Sequence, residues 1–344
     1  MRRHWAFLIG LLLVLIWAGL FLFHRFESQE VKTLDWRFQR RAAYQVARLD
    51  ASELRDPDVV LVLITEDCIR EHGRWPWDRG LVARLIEEVS EAGAQIIGVD
   101  IQYYESSNQR SDGAFQRALE RAGNVVLASD IRTEWELDPI SFDFRVNLQV
   151  NEPLLQFKRA AREMGLVSID PYVENPDGIL RKTPLGKYVQ GRYLPSFALN
   201  VVSLYLDSPV LADPSGRVLL GTYEVPTVPG KLVAIDEERK NSKPHPLGFE
   251  QCIWINYPPV GPEAEFFRRI PARDILAGNS TEDLKGKIVL IGVSALGAER
   301  DNKLTVQGLM SGVEFLANIV RNLKNRNALV RLPPAWSVAS SCAR

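Results

Sequence analysis

A seven-residue aromatic segment, Gly73 to Arg79, constrains the fold of this chain more than any other feature. It reads Gly-Arg-Trp-Pro-Trp-Asp-Arg and stands between two apolar runs, Val59–Ile64 and Ala94–Val99. Two tryptophans beside one proline are unfavourable in open solvent, because large aromatic side chains normally bury area or wait for a partner. Pro76 fixes its own φ angle and so limits the spacing of the two indoles. The pattern predicts a rigid aromatic loop between two buried strands.

Polar residues stand one or two positions after each apolar run. Glu66-Asp67 follow the first run, Asp100 the second, Ser129-Asp130 a third run at 124–128, and Ser294 a fourth run at 287–292. In open parallel sheets, ligands bind outside the carboxyl ends of the strands. If the four runs share one sheet, these polar groups face a common crevice. Asp301, in the loop after the last run, is expected to reach the same rim.

Apolar runs that alternate with helical patterns are typical of a parallel sheet covered on both faces. The predicted strands are Val59–Thr65, Gln95–Ile101, Asn124–Ala128 and Lys287–Gly292. The predicted helices are Arg79–Gly93, Asp112–Ala122, Pro271–Ala277 and Gly312–Lys324, with Asp112 as the N-cap of the second. The expected fold class is therefore α/β, with a mostly parallel sheet flanked by helices.

The middle of the chain has a different pattern, which predicts an inserted β-rich region. Asn175-Pro176-Asp177-Gly178 is a strong turn signal within an extended stretch from 165 to 189. A helix is predicted at Pro195–Leu206. Strands punctuated by Pro and Gly are predicted at Arg217–Leu220, Leu232–Ile235 and Cys252–Tyr257. The strand near residue 288 is expected to rejoin the sheet that begins at Val59.

An uncharged, mostly apolar run from Trp5 to Phe23 follows Arg2 and Arg3. It is long enough to span a bilayer at roughly 20 residues. The leading arginines favour a cytoplasmic amino terminus and export of the remaining chain, although His24-Arg25 oppose this bias. A cleaved signal peptide is the alternative, but no Ala-x-Ala cleavage site follows. Both interpretations place the main domain outside the cytoplasm.

The segment from Glu27 to Leu49 carries a helical apolar stripe of Val31, Leu34, Phe38 and Ala42. Two interpretations are open. Two such stalks pair in a homodimer, or the stripe packs on its own domain. The second is favoured slightly, because the run is too short for several sustained heptads.

Composition excludes some classes of function. The net charge is −1, so no basic face for nucleic acid is indicated. Three cysteines without a CxxC pair suggest neither a zinc site nor a disulfide framework. Cys68 and Cys252 are expected to be separate buried thiols, with a single bridge between them as the alternative.

Several sequence blocks, in one order, resemble the type-two CHASE domain, an extracellular sensory module attached to cyclases and histidine kinases. The resemblance runs from about Leu34 to Trp336. The blocks are Leu63–Asp67, Gly73–Arg79, Ile97–Asp100, Asp177–Arg181, Ile255–Tyr257, Leu284–Gly292, and Asp301 with Met310–Glu314. Phe315-Leu316 stand where the family usually has a smaller or polar pair.

The resemblance implies a sensory, ligand-binding module of a signal-transduction receptor. The expected organisation is a cytoplasmic tip at 1–4, a transmembrane helix at 5–23, a helical stalk at 27–50, an extracytoplasmic sensory domain at 51–330 and a short tail at 331–344. Family members usually continue into further membrane helices and an output domain. Residues 331–336 resemble the approach to the next span, but residues 337–344 are too short and too polar to cross a bilayer. The expectation is therefore either a truncated receptor or a stand-alone sensor that acts through a partner. The expected partners are an extracellular small-molecule or protein signal, the membrane, and a second copy or a separate output protein.

The candidate ligand-binding residues are Asp67, Trp75, Trp77, Arg79, Asp100, Asp130, Ser294 and Asp301. Acids beside an aromatic wall suit sugars, cyclic solutes or cations. The alternative is structural: the tryptophans cover the core, and Arg79 pairs with Asp67 or Asp100. A third hypothesis, an exported metal-dependent hydrolase, places Mg²⁺ or Ca²⁺ between Asp67, Asp100 and Asp301. No histidine or lysine joins these acids at a catalytic spacing, so no catalytic residue, metal or cofactor is assigned. The remaining alternative is a protein-interaction module without a small ligand.

Overall fold

The computed structural model describes residues 9–10, 12, 27–46, 48, 55–137, 144–168, 177–189, 192–213, 216–229, 250–259, 265–279, 284–295 and 302–330. The predicted strand at 232–235, the tail at 331–344 and Asp301 lie outside these residues, as does almost all of the apolar run 5–23. Within the described ranges, no helix is both long enough and apolar enough to cross a membrane.

Six parallel strands form the central sheet. In spatial order they are β13 (Arg268–Pro271), β1 (Val59–Ile64), β14 (Ile288–Val293), β2 (Ile96–Val99), β3 (Val125–Leu137) and β5 (Glu163–Leu166). The outer half of β3 continues past the sheet and pairs antiparallel with β4 (Phe144–Asn151). The mostly parallel sheet is confirmed. β14 joins it as expected, and the structure places β14 between β1 and β2.

The described helices cover both faces of this sheet. In chain order they are α1 (Glu27–Val46), α2 (Glu66–His72), α3 (Arg79–Glu91), α4 (Gln109–Ala122), α5 (Leu155–Ala160), α6 (Phe197–Tyr205), α7 (Ala272–Leu276) and α8 (Gly312–Lys324). Successive residues of β1 point to opposite faces. Val60 and Val62 therefore enter a core built with α2, α3, α4, α5 and α7. Val59 and Leu61 enter a second core built with α6, α8 and part of α1.

The start of α4 differs from the prediction. The helix begins at Gln109, and its N-cap is Asn108, whose Oδ1 accepts a 2.8 Å hydrogen bond from the Ser111 amide. Asp112 instead lies in the first turn and is 5% exposed. The N-cap prediction for Asp112 is wrong because Asn108, four residues earlier, accepts the hydrogen bond from the first-turn amide of Ser111.

The described part of the inserted region between β5 and β13 contains two small antiparallel sheets. One sheet has the order β11 (Val228–Pro229), β12 (Glu250–Trp254), β6 (Lys182–Val189) and β7 (Arg192–Pro195). The other has the order β10 (Tyr223–Glu224), β9 (Val218–Leu220) and β8 (Val210–Ala212). A hairpin of β15 (Asn302–Thr305) and β16 (Gly308–Ser311) precedes α8. Cys68 and Cys252 are buried and form no disulfide with each other, as expected.

The apolar stripe of α1 packs on the domain. Phe38 is buried in the core that α6 and α8 share, and Leu34 packs against it. Trp36 and Tyr44 point away from the domain and are 55% and 57% exposed. The stripe therefore packs on its own domain, which is the second of the two interpretations of this segment.

Candidate functional site

The aromatic loop begins one short helix after β1. Thr65 caps α2, and the loop then runs from Gly73 to the start of α3, with a cis peptide bond between Trp75 and Pro76. Trp77 is 7% exposed, and its Nε1 donates a 3.1 Å hydrogen bond to the carbonyl of Gly73. Trp75 is partly buried and meets Trp77 edge-on at 6.1 Å between ring centroids. The geometry makes Trp77 part of the core, while Trp75 keeps some accessible surface.

Arg79 pairs with a different acid from the two that the sequence suggested. Its Nη1 donates to Asp112 Oδ1 at 2.6 Å, and its Nη2 donates to the carbonyl of Glu105. The guanidinium also lies 5.4 Å from the ring centroid of Tyr103 and 5.3 Å from that of Phe157. The expected pair with Asp67 or Asp100 is wrong: the first turn of α4 brings a buried carboxylate closer than either strand end does.

Asp78 joins the same loop to α4. As the N-cap of α3 it accepts a 2.8 Å hydrogen bond from the Gly80 amide. It also accepts hydrogen bonds from Ser111 Oγ at 2.5 Å and from Asn108 Nδ2 at 3.2 Å. The Ser111 hydrogen bond, followed by those from Gly80 and Asn108, outweighs burial and lowers the pKa of Asp78 below its ordinary value.

Asp78→Ala is expected to lower the free energy of unfolding by about 1 kcal/mol at neutral pH, the usual cost of losing an N-cap. Since the pKa of Asp78 is lower in the folded state than in the unfolded state, its ionisation stabilises the fold above about pH 4 and that contribution disappears as pH falls further. Urea titrations at pH 7 and pH 3 should therefore show the difference between wild type and Asp78→Ala shrinking at acid pH. Asp78→Asn keeps an acceptor but does not titrate, and is the control; an equal difference at both pH values for Asp78→Ala would contradict the assignment.

Two further candidates have protein partners at their strand ends. Asp67 forms an ion pair with Arg70 and a longer contact of 3.5 Å with Arg273. Asp130 accepts a hydrogen bond from Ser168, whose Oγ in turn accepts one from the Ile131 amide at 2.6 Å. Asp67 therefore makes exposed ion pairs within α2 and to α7, whereas Asp130 holds Ser168 against β3.

Asp100 and Ser294 lie at the carboxyl ends of adjacent strands. The Asp100 amide donates to the Ile291 carbonyl at 2.9 Å, and the Ser294 amide donates to the Ile64 carbonyl at 3.0 Å. Both residues are partly exposed. The sheet therefore brings these two predicted residues to one edge, while Asp301 lies outside the described residues.

The hypothesis of a metal-dependent hydrolase predicts a cluster of acidic side chains around a metal ion. Among the residues that the structure describes, no group of three or more His, Cys, Asp or Glu side chains is arranged to hold a metal ion. Asp67 and Asp130 already bind other protein groups. The described part of this edge therefore offers a ligand hydrogen-bonding groups and the face of one indole.

Sequence reasoning missed a clamp between α1 and the domain. Arg181, with 4% of its side chain exposed, donates from Nε and Nη2 to Asp35 at 2.7 and 2.6 Å, and from Nη1 and Nη2 to Asp177 at 2.8 and 2.9 Å. Burial alone lowers the pKa of Arg181, but the hydrogen bonds to Asp35 and Asp177 outweigh burial and raise that pKa above its ordinary value. The four-residue spacing of Asp177 and Arg181 was the available signal, whereas nothing local linked either residue to Asp35.

A second contact between α1 and the domain centres on Asn256. Its Oδ1 accepts from Arg41 Nη1 at 2.8 Å, and Arg41 Nη2 also donates to the carbonyl of Tyr257. The backbone amide of Asn256 donates to Oδ1 of the buried Asn322 on α8 at 2.6 Å. Nδ2 of Asn322 in turn donates to the backbone carbonyl of Asn256 at 3.1 Å. Two of the sequence blocks described above, Asp177–Arg181 and Ile255–Tyr257, therefore bind the same helix.

Comparison with protein families finds one match, to the CHASE2 domain, over residues 8–342. Comparisons with curated proteins and with solved structures found no match. The matched range includes α1, the aromatic loop, the strand ends and both contacts between α1 and the domain. The chain therefore belongs to the CHASE2 domain family, a family of extracellular sensory domains.

Proposed function

We propose that this chain is the membrane-anchored sensory module of a signal-transduction receptor, with its main domain in the periplasm or extracellular space. The proposal rests on the family, on the apolar run 5–23 and, above all, on the clamp that holds α1 to the domain. A helix between the membrane and a sensory domain can carry a signal only if its position depends on the state of that domain.

The clamp supplies such a dependence. Arg181 directly precedes β6, Asn256 follows the paired strand β12, and each binds a different turn of α1 through Asp35 or Arg41. A change in the domain that moves either residue breaks charge-assisted hydrogen bonds, which are the stronger kind. The position of α1 is therefore expected to follow the domain rather than to vary freely.

The strand-end edge is the proposed ligand position for this function, with Asp100, Ser294 and Trp75 as the groups that contact ligand. Gly292 lies at this edge, and a Cβ atom there would come within 2.5 Å of Val313, the second residue of α8. This close approach couples the end of β14 to α8. Because Asn322 of α8 bonds to Asn256, and Asn256 to Arg41, the edge and α1 are connected through packed and hydrogen-bonded groups.

The test combines binding with a readout at α1. The full chain, purified in a mild detergent, is melted with Mg²⁺, Ca²⁺, glucose, ATP, each free amino acid and glycine betaine. Amide hydrogen exchange is then measured at residues 32–41 with every compound that raises the melting temperature. We expect at least one compound class to raise the melting temperature and to change exchange in α1. We expect Asp100→Ala to remove both effects, while Glu224→Ala, an exposed acid on β10, should preserve them.

Two results would overturn the proposal. A compound whose stabilisation is removed by Asp100→Ala, but which leaves exchange in α1 unchanged, would show binding at this edge without transmission. If the protein folds cooperatively but responds to no compound in the panel, the result would favour the alternative hypothesis that the aromatic loop binds another protein. Alkaline phosphatase fused after Arg344 tests the location separately: activity in intact bacterial cells supports export, and its absence opposes it.

A further inference from the structure

A cavity of about 380 Å³ lies at the β5 edge of the central sheet, away from the aromatic loop. It is bounded by β5, β7, α6 and the start of β8. Its volume falls at the lower end of the roughly 300–1,000 Å³ typical of small-ligand sites. None of the eight candidate ligand-binding residues lines this cavity, although Ser129, one of the strand-end polar residues named from the sequence, does.

The walls are fixed by close backbone packing. Gly165 of β5 lies directly beneath the start of α6, and a Cβ atom at this position would collide with the backbone of Phe197. Leu166 forms a parallel bridge with Ser196, which is also the N-cap of α6. Because glycine allows this contact, β5 and α6 meet without a gap and the cavity opens beside them.

Two opposite charges line the cavity. Glu163 begins β5 and Arg192 begins β7, and both side chains are exposed. The parallel bridge at Leu166 and Ser196 places the starts of β5 and β7 at the same end of the cavity. Among the described residues, neither charge forms an ion pair with the other or with a third group.

A buried amide adds a hydrogen-bonding group. Asn200 is 7% exposed, lines the cavity, and donates from Nδ2 to the Met164 carbonyl at 2.8 Å. Within the described structure its Oδ1 accepts no hydrogen bond and is not fully enclosed. Since Nδ2 is fixed by the backbone of β5, Oδ1 is held in one orientation and is available as an acceptor for an N–H donor.

Much of the remaining lining is apolar. The apolar side chains include Met164, Leu166, Leu194, Leu204, Pro209 and Val210. Burying an aliphatic group against them is favourable at roughly 25 cal/mol per Å² of apolar surface. The cavity therefore combines one positive charge, one negative charge, an amide acceptor, the hydroxyl groups of Ser129, Tyr193 and Ser203, and an apolar wall.

We propose that this cavity binds a small zwitterion with an aliphatic substituent, of the chemical class of the free neutral α-amino acids. Arg192 faces the carboxylate, Glu163 and Asn200 Oδ1 face the ammonium group, and the aliphatic substituent packs on the apolar wall. An anion or a cation alone would leave one of the two charges unmatched, and a polyphosphate would meet only one cation. The assignment goes beyond the proposed function, because it describes a binding site whether or not binding alters α1.

Three ligands that differ by one charged group test the chemistry. L-Leucine carries both charges, 4-methylpentanoate lacks the ammonium group, and 3-methylbutylamine lacks the carboxylate. Titration calorimetry on the full chain in detergent is expected to show the tightest binding for L-leucine. Each single-charge compound should bind at least about tenfold more weakly, since each loses one charge-assisted contact.

Two neutral substitutions at exposed positions should then separate the charges. Arg192→Gln is expected to weaken L-leucine and 4-methylpentanoate by at least about tenfold and to leave 3-methylbutylamine unchanged. Glu163→Gln should weaken L-leucine and 3-methylbutylamine and leave 4-methylpentanoate unchanged. Arg217→Gln removes an exposed arginine of the neighbouring small sheet that does not line the cavity, and should bind all three compounds as the wild type does.

The crossed pattern decides the assignment. No saturable binding of L-leucine by a cooperatively folded wild-type protein overturns it. Binding that Arg192→Gln and Glu163→Gln both leave intact also overturns it, because the ligand would then lie elsewhere. These results differ from a failure of the proposed function, in which binding is present and hydrogen exchange in α1 does not respond.

Discussion

Replacing Asp112 with alanine is expected to lower the free energy of unfolding by about 3–5 kcal/mol. The carboxylate of Asp112 and the guanidinium of Arg79 are 7% and 11% exposed and lie 2.6 Å apart. Removing one member leaves the other as a buried charge whose lost hydration is no longer compensated. Asp112 also accepts a hydrogen bond from the Ser107 amide at 3.1 Å, so the loop before α4 loses a contact in the same variant. Urea unfolding of the full chain, followed by circular dichroism, measures the change.

Asp67→Ala is the matched control, because Asp67 pairs with Arg70 at a site where 46% and 77% of the two side chains are exposed. Its expected cost is below about 1 kcal/mol. The double variant Arg79→Met with Asp112→Leu should recover much of the loss, since a buried ion pair is often replaceable by apolar groups. If Asp112→Ala is no more destabilising than Asp67→Ala, the pair does not hold Arg79, and the role of Arg79 as a ligand contact regains support.

The fold was predictable where one property, burial on both faces, decided the local structure. Val59–Ile64 and Ile288–Val293 consist of apolar residues except for one glycine, and such runs are stable only as central strands between two layers of helices. A helical pattern of apolar residues predicted Gly312–Lys324, the bounds that α8 has in the structure. The start of α4 was missed because Asn108 and Asp112 are both good N-cap residues, and only the tertiary partner of Asp112 decides between them.

The site was less predictable, because its pairings depend on contacts between distant parts of the chain. Arg79 and Asp112 are 33 residues apart, and Arg181 and Asp35 are 146 residues apart. Local patterns identify residues that need a partner, such as an arginine beside tryptophans, but they do not identify the partner. The cavity at β5 had no sequence signal either, since Glu163, Arg192 and Asn200 come together only through the packing of β5 against β7 and α6.

Arg181→Met is expected to release α1 and to cost about 3 kcal/mol of the free energy of unfolding. Arg181 is almost fully buried, whereas the side chains of Asp35 and Asp177 are 21% and 49% exposed. Water can therefore solvate Asp177 after the substitution, but Asp35 loses two short hydrogen bonds in a partly buried position. For this reason the expected cost lies at the lower end of the range for a broken buried pair.

The distinguishing result for Arg181→Met is the part of the structure in which hydrogen exchange becomes faster. Hydrogen exchange should become faster at the amides around Asp35, while amides of β1 and β14 keep their protection relative to global unfolding. Arg55→Met is the matched control, because Arg55 and Glu265 form an exposed pair with side chains 43% and 50% exposed; its expected cost is below about 1 kcal/mol. Exchange that accelerates equally in α1 and in the central strands would mean that Arg181 supports the whole fold, and α1 would then lose its separate role in carrying a signal. Faster exchange confined to α1 would show that one buried arginine sets the attachment of this helix to the sensory domain.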